Sequence, residues 1–304
     1  MRPGYSPSLS VRLRRVERVG EHPVPAGPLS VRWLAHEAEP LRAGAVGRVR
    51  VALENAGSAR WESRPRDGIY VGYHWLDERG NPIVWDGLRT ALLGDSLAPG
   101  ERVELDLAVR GALPPGRYRL ALDPVDEGRF WFAELGGTAL ELEVDVKERI
   151  ERRLAIRVPE RDSETERALA ALEEPLVPAE EAEAVAYLAP GCLPAPDWSR
   201  RVLDAHASGY AFVGGSVEPL GGVIARRSLS AQLAPWAPGS GRVPHFPHPL
   251  LCPSVVREVE PTWAPDVAGL PALEPPADRL YGEPWLYDGR IALRARPRSG
   301  RRRG

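Results

Sequence analysis

Three groups of side chains in this chain are of types that do chemistry. His245-Phe246-Pro247-His248, with Cys252 beyond, offers imidazole and thiol, the ligands that zinc takes. Prolines close by forbid the i, i+4 helical display that aims two histidines at one ion, and no second ligand pair follows. Ordinary loop residues are therefore the plainer reading, and neither a metal nor a cofactor is expected. Among the acids, Asp278 and Asp288 could each act as a base toward a hydroxyl, whereas Asp197, just before Trp198, is placed to cap a helix. The third group is aromatic. Tyr73, Trp75, Trp85 and Trp131 either fill a core or present flat faces on which the C–H faces of sugar rings pack. Trp85, just beyond a turn and flanked by Asp86 and Arg89, is the member best placed to face solvent.

Other chemistry lacks its residues. There is no Gly-x-Ser-x-Gly elbow, no phosphate loop and no Gly-x-Gly-x-x-Gly after a strand; Gly214-Gly215 reads as a strand kink and Gly221-Gly222 as a turn. His74, inside an apolar run, reads as a satisfied core histidine, and His206, late in a helix, as a partner of that helix's C-terminal dipole.

The elements that must position these residues are mostly strands. Ile69 to Leu76 is apolar on both alternating faces, Asp77 to Pro82 has turn chemistry, and Ile83-Val84-Trp85 is apolar again, which together predict a β-hairpin. Residues 30–34, 47–53, 102–109, 118–122, 130–132 and 139–146 read as further strands between Pro/Gly turns, with Asn55 to Ser58 and Pro99-Gly100 among the turns. Short strands at this spacing, with no helical stretch between them, predict an antiparallel β-sandwich of immunoglobulin type, without that fold's cysteine pair. Trp61, Trp75, Trp85 and Trp131 could supply the missing core mass.

After Val146 the texture changes. A helix is expected from Asp162 or Ser163 to Glu174, a strand over Ala184 to Leu188, a helix from Asp197 to Gly209 and a strand over Tyr210 to Val217: α/β grammar. From Leu220 onward recurrent prolines argue for loops, with one short helix around Ser254 to Val259. The expected division is an irregular arm over 1–28, with an alternating patch at Val11, Leu13 and Val16 that could add a strand, the sandwich over 29–146, a charged connector over 147–160, a small α/β module over 161–289 and a basic tail over 290–304.

A length of 304 residues suits two domains, and a formal charge of −2 gives no global attraction to nucleic acid. Of 40 cationic residues only Lys147 is a lysine, so 39 are arginines, a bias that a GC-rich genome explains. The stretch from Arg290 to Arg303 holds seven arginines and no acid; it reads as a solubilising end or as a weak contact for a phosphate or lipid surface. No apolar run is long enough to span a membrane, and Cys192 and Cys252 stand far apart without a CxxC partner, so the cytoplasm is the expected location.

Two stretches resemble known families. The succession "VALENAG…W", "VGYHWLDERGNPIVWDGLRT…L", "LAPGERVELDLAV", "PPGRYRLALDPVDEGRFWF" resembles the immunoglobulin-like domain that bacteria attach to glycosyltransferases and other polysaccharide-synthesis proteins, with Pro124 where an apolar strand residue is expected. "EAVAYLAPGCLPAPDWSRRVLDAHASGYAFVGGSVEP" is similar to the middle of a family 2 glycosyltransferase of the GT-A fold. That family carries an acidic metal-binding motif after the strand that here is Ala184 to Leu188, and this chain has Ala189-Pro190-Gly191. The resemblance implies a degenerate transferase-like module in a non-catalytic accessory protein of envelope polysaccharide synthesis, with the sandwich binding a glycan or a partner enzyme through Trp85, Tyr73, Trp75, Asp86 and Arg89. The alternative is a working glycosyltransferase, completed by a partner subunit or using a metal-free site with Asp278 or Asp288 as base; Asp197, whose plainer role is the helix cap, is the remaining catalytic candidate, through a metal.

Overall fold

The computed structural model describes residues 17–18, 28–64, 67–221, 223–239 and 241–296. The patch at Val11 to Val16 and the last eight residues of the basic stretch lie outside them. The chain divides into two compact units, residues 1–147 and 148–304.

The first unit is built from β1 (Glu17–Arg18), β2 (Val31–Ala38), β3 (Val46–Asn55), β4 (Trp61–Arg64), β5 (Asp67–Leu76), β6 (Pro82–Val84), β7 (Thr90–Ala91), β8 (Ser96–Leu97), β9 (Arg102–Arg110), β10 (Gly116–Asp126), β11 (Phe130–Trp131) and β12 (Leu140–Val146). One antiparallel sheet runs β1-β2-β3-β9. The other runs β11-β10-β5-β4-β8, with β12 on β10 and with β6 and β7 on β5. Alternation makes the core. Val49, Val51 and Leu53 of β3 and Val103, Leu105, Leu107 and Val109 of β9 meet Ile69, Val71, Tyr73 and Trp75 of β5 and Leu120 and Leu122 of β10 in one buried cluster. This is a β-sandwich, and indoles replace the cysteine pair: Trp33, Trp61 and Trp75 are all buried, and Trp61 meets Phe132 edge to face at 5.1 Å.

The predicted hairpin is present, with Trp75 opposite Val84 and Leu76 opposite Pro82. Its turn is held by the Asp77 carboxylate, which accepts from the N–H groups of Arg79 and Asn81 at 2.9 and 2.8 Å. Pro124 does not disturb β10. It lies beyond the last β10–β12 pair, Leu122 opposite Leu140, where that edge of the strand has no partner until Val125 meets Trp131.

The second unit contains β13 (Leu154–Arg157), α1 (Ser163–Ala170), β14 (Ala184–Tyr187), β15 (Cys192–Pro194), α2 (Trp198–Ala207), β16 (Phe212–Pro219), α3 (Val223–Gln232), β17 (Leu250–Leu251), β18 (Ser254–Val256), β19 (Trp263–Val267), β20 (Leu270–Leu273) and β21 (Trp285–Ala295). A mixed sheet runs β13-β14-β18-β16-β21-β15, parallel between β13 and β14 and between β16 and β21, and a small antiparallel sheet runs β17-β20-β19. Asp162 caps α1 by accepting from the Thr165 N–H at 2.7 Å. The glycine pair does mark a kink: the β16–β21 register shifts between Gly215 and Ser216, and a Cβ on Gly215 would sit 1.9 Å from the Ile291 carbonyl oxygen.

Several expectations are corrected here. Residues 254–256 form a strand instead of a helix, because β-branched Val255 and Val256 are buried between β14 and β16. Helix α3 occupies the proline-free stretch before Pro235. The expected connector supplies β13, with Leu154 fully buried, and the expected basic tail begins as the end of β21, with Ile291, Leu293 and Ala295 in the core. Among the described residues no helix is long and apolar enough to cross a membrane.

Candidate functional site

The parity of β5 sorts the aromatic candidates. Tyr73 and Trp75 share the inward face with Ile69 and Val71 and are 2% and 1% exposed, so they pack the sandwich and offer no surface to a sugar. Their expected place in a binding platform is corrected. Tyr70, Gly72 and His74 point to the outer face, where Tyr70, Val125 and Trp131 form a small apolar cluster of their own.

His74 organises that outer face. Its ring stacks on Trp85 at 4.1 Å and 25° and lies 4.1 Å from Trp131, and the two indoles are 6.5 Å apart at 70°. Nδ1 of His74 donates to the Trp85 carbonyl, which fixes the tautomer and ties the end of the hairpin to the sheet. Burial, helped by the Arg89 charge, outweighs the Trp85 carbonyl and lowers the His74 pKa, so the ring is neutral at neutral pH. Trp85 is 50% exposed above it.

Arg89 is a scaffold. Its guanidinium lies 4.5 Å above the Trp131 ring and is buried, with Nε on Glu127 at 2.9 Å, Nη1 on the Gly87 carbonyl at 2.7 Å and Nη2 on Asp86 at 2.5 Å. The sequence places it beside Trp85 as a binding residue, and its burial leaves it a supporting role instead. Asp86 does face solvent. Gly72 makes the arrangement possible, since a Cβ there would sit 2.8 Å from the Trp131 ring and 3.0 Å from Arg89 Nη1.

Opposite Gly72 in the ladder is Asp123, which is fully buried. One carboxyl oxygen accepts from the Ala133 N–H at 3.1 Å, and the other has no hydrogen-bond partner. Burial, with Glu134 adding to it, pushes the Asp123 pKa up to about 7. Glu134 itself is exposed and accepts from the Trp131 N–H at 3.0 Å. The face thus offers one fixed, half-exposed indole with two exposed carboxylates near it, an arrangement suited to binding. Sequence reasoning missed Asp123, Glu134 and the part played by His74. The available signal was a glycine inside an apolar strand, which marks a close approach.

The acids of the second unit are engaged locally. Asp197 stands at the start of α2 but makes no capping bond; its carboxylate accepts from Arg201 Nε at 2.6 Å. Asp278 accepts from the N–H groups of Leu280 and Tyr281, each at 3.0 Å. Asp288 is buried and accepts three bonds from Arg290, which overcome the burial and hold its pKa below the usual range. No interaction joins the three, and among the described residues no three His, Cys, Asp or Glu side chains gather closely enough to hold a metal ion. The histidine segment is also dispersed. His248 packs on Trp236, whereas Cys252 lies 3.8 Å, sulfur to sulfur, from Cys192 in the core. His206 is corrected as well: it is fully buried between the Tyr210 carbonyl and Ser254 Oγ, both at 2.8 Å, and burial lowers its pKa to about 4, so it carries no charge to a helix dipole.

No protein-family model matches the chain, and no curated protein does. Among solved structures it is similar to the C-terminal domain of wzt, at 11% identity and a TM-score of 0.29, over 45% of this chain and 84% of that one. It is also similar to the yjhA protein from Bacillus subtilis, at 15% identity and a TM-score of 0.25, over 42% and 98%. A beta-glucosidase from Listeria innocua is similar at 15% identity and a TM-score of 0.23, over 38% of this chain but 16% of the enzyme. Likenesses this loose say nothing about activity.

Proposed function

We propose that the β-sandwich binds carbohydrate on its outer face, and that the chain serves bacterial polysaccharide synthesis as a non-catalytic accessory. The observation that carries this reading is Trp85, a large apolar ring left half exposed yet held at a fixed angle by His74 beneath it. A ring fixed before binding loses little entropy on contact, and the C–H face of a sugar is its natural partner. Asp86 and Glu134 supply acceptors for the hydroxyl groups around such a sugar. In this reading the second unit is a transferase-like module without a donor-metal site. Ala189, Pro190 and Gly191, which follow β14, have no side chain that could ligate a cation bridging to a diphosphate.

The test is titration of the full chain with a panel of neutral and acidic oligosaccharides, followed by tryptophan fluorescence. Saturable binding that disappears in Trp85→Ala, while the melting transition persists, is the expected result. Failure of every glycan at millimolar concentration, or equal binding by the variant, would overturn the sugar site. Metal-dependent turnover of a nucleotide sugar that is lost on mutating Asp197 or Asp278 would overturn the non-catalytic role.

A further inference from the structure

A cavity of about 340 Å³ in the second unit has no part in that reading. Its lining includes Tyr210, Arg242, His245, Arg279, Glu283 and Trp285, so three basic side chains face one carboxylate across aromatic walls. The carboxylate is already answered from behind. Glu283 accepts at 2.9 Å from Arg149, whose side chain is 1% exposed and which also bonds Glu258 and the Gly209 carbonyl. Glu283 is thereby held in the wall, where its one carboxylate stands against the two arginines of the lining, Arg242 and Arg279.

The two arginines that line the cavity are under-used. Arg279 is exposed and makes no ion pair among the described residues. Arg242 lies over the Tyr210 ring at 5.6 Å, and the carboxylate it approaches, Asp288 at 3.9 Å, is already held by three bonds from Arg290. His245 adjoins them, with a left-handed backbone at φ +56°. The volume is that of a small-molecule site. Guanidinium groups with open donors match a planar or tetrahedral oxyanion, and indole and phenol walls match a ring.

We infer that this cavity binds a small organic anion, a ring compound carrying a phosphate or a carboxylate, with the oxyanion on Arg242 and Arg279 and the ring against Tyr210 and Trp285. This site is independent of the sugar face in the sandwich. Phenyl phosphate and benzoate are suitable probes, because they separate the two oxyanions on one ring; inorganic phosphate and phenol separate charge from ring. The full chain would be titrated at low salt, and the Trp285 indole resonance followed by NMR. Saturable binding of phenyl phosphate or benzoate is expected, tighter than either phosphate or phenol alone. It should weaken about tenfold or more in Arg279→Ala and Arg242→Ala, recover in part in Arg279→Lys and remain unchanged in Trp85→Ala. Arg279 makes no ion pair whose loss would unfold the chain, so its variant is a clean test. Absence of saturation by either ring compound at about 10 mM, equal affinity in Arg279→Ala, or inorganic phosphate binding as well as phenyl phosphate would overturn the assignment.

Discussion

The two faces of β5 carry similar residues to opposite ends. On the inner face, Tyr73 and Trp75 are sealed in the sandwich, and the backbone of one residue serves both: the Arg110 N–H donates to the Tyr73 hydroxyl at 2.9 Å, and Trp75 Nε1 donates to the Arg110 carbonyl at 2.8 Å. On the outer face a histidine supports one half-exposed indole, and a buried carboxyl keeps an oxygen without a partner. Residue type does not separate the two roles; parity along the strand does, together with how much of the polar inventory is paired. On the inner face of β5 both polar side chains are paired, whereas on the face proposed for binding the Asp123 carboxyl opposite Gly72 is not fully paired.

The largest expected effect is on the inner face. Trp75→Ala should cost about 3–5 kcal/mol, because it empties an indole-sized volume and strands the Arg110 carbonyl. A urea melt measures it. A loss below about 1 kcal/mol would mean that the inner face is not the stabilising one.

Next comes the unpaired carboxyl. The folded-state pKa of Asp123 is raised to about 7 from 3.8, so between these values the folded chain holds a proton that the unfolded chain has released. Its contribution to stability is therefore full below about pH 4, falls as pH rises and levels off above about 7. At ~1.4 kcal/mol per pH unit, the swing is on the order of 4 kcal/mol. Asp123→Asn should remove this slope, so the variant gains on the wild type as pH rises. His206 provides the opposite sign: its pKa is lowered from 6.5 to about 4, so its contribution is intact above about 6.5 and is lost as pH falls toward 4. Melts of wild type and Asp123→Asn at several pH values decide the point, and parallel curves would remove Asp123 as the source.

Much of the sandwich was legible because its strands alternate cleanly. Val49-Val51-Leu53 and Val103-Leu105-Leu107-Val109 announce which face is buried, and Asp77 to Pro82 announces a turn. The apolar run from Ile69 to Trp75 does not, since both of its parities are apolar, and so its pattern alone groups Tyr73 and Trp75 with Trp85. The face proposed for binding joins β5, β10 and the segments after β6 and β11, a juxtaposition that no local pattern encodes. In the second unit, prolines counted across the whole segment hid α3, which ends before Pro235. The arginines of residues 290–296 masked the alternation that buries Ile291, Leu293 and Ala295 in β21.

A smaller effect sharpens the contrast from the other side. Gly72→Ala places a methyl 2.8 Å from Trp131 and 3.0 Å from Arg89, in an already close-packed layer, and should cost about 1–3 kcal/mol. Because Trp131 supports the His74–Trp85 stack, the variant should also weaken sugar binding while remaining folded. Unchanged binding in a clearly destabilised variant would separate Trp131 from the site.

The smallest effect on stability belongs to Trp85 itself. Half of this ring already faces water, and what truncation removes is its stack on His74, an interaction of about 0.5–1.5 kcal/mol, offset by relief of exposed apolar surface. The His74 hydrogen bond goes to the main-chain carbonyl of residue 85 and survives truncation of the side chain. Trp85→Ala should therefore melt within about 1 kcal/mol of the wild type yet bind no glycan, the reverse of Trp75→Ala, whose remaining folded fraction should bind normally. Measuring both variants for stability and binding gives four numbers. If Trp85→Ala proves as destabilising as Trp75→Ala, the exposed indole is a structural element of the sandwich, and the division of labour between the two faces fails with it.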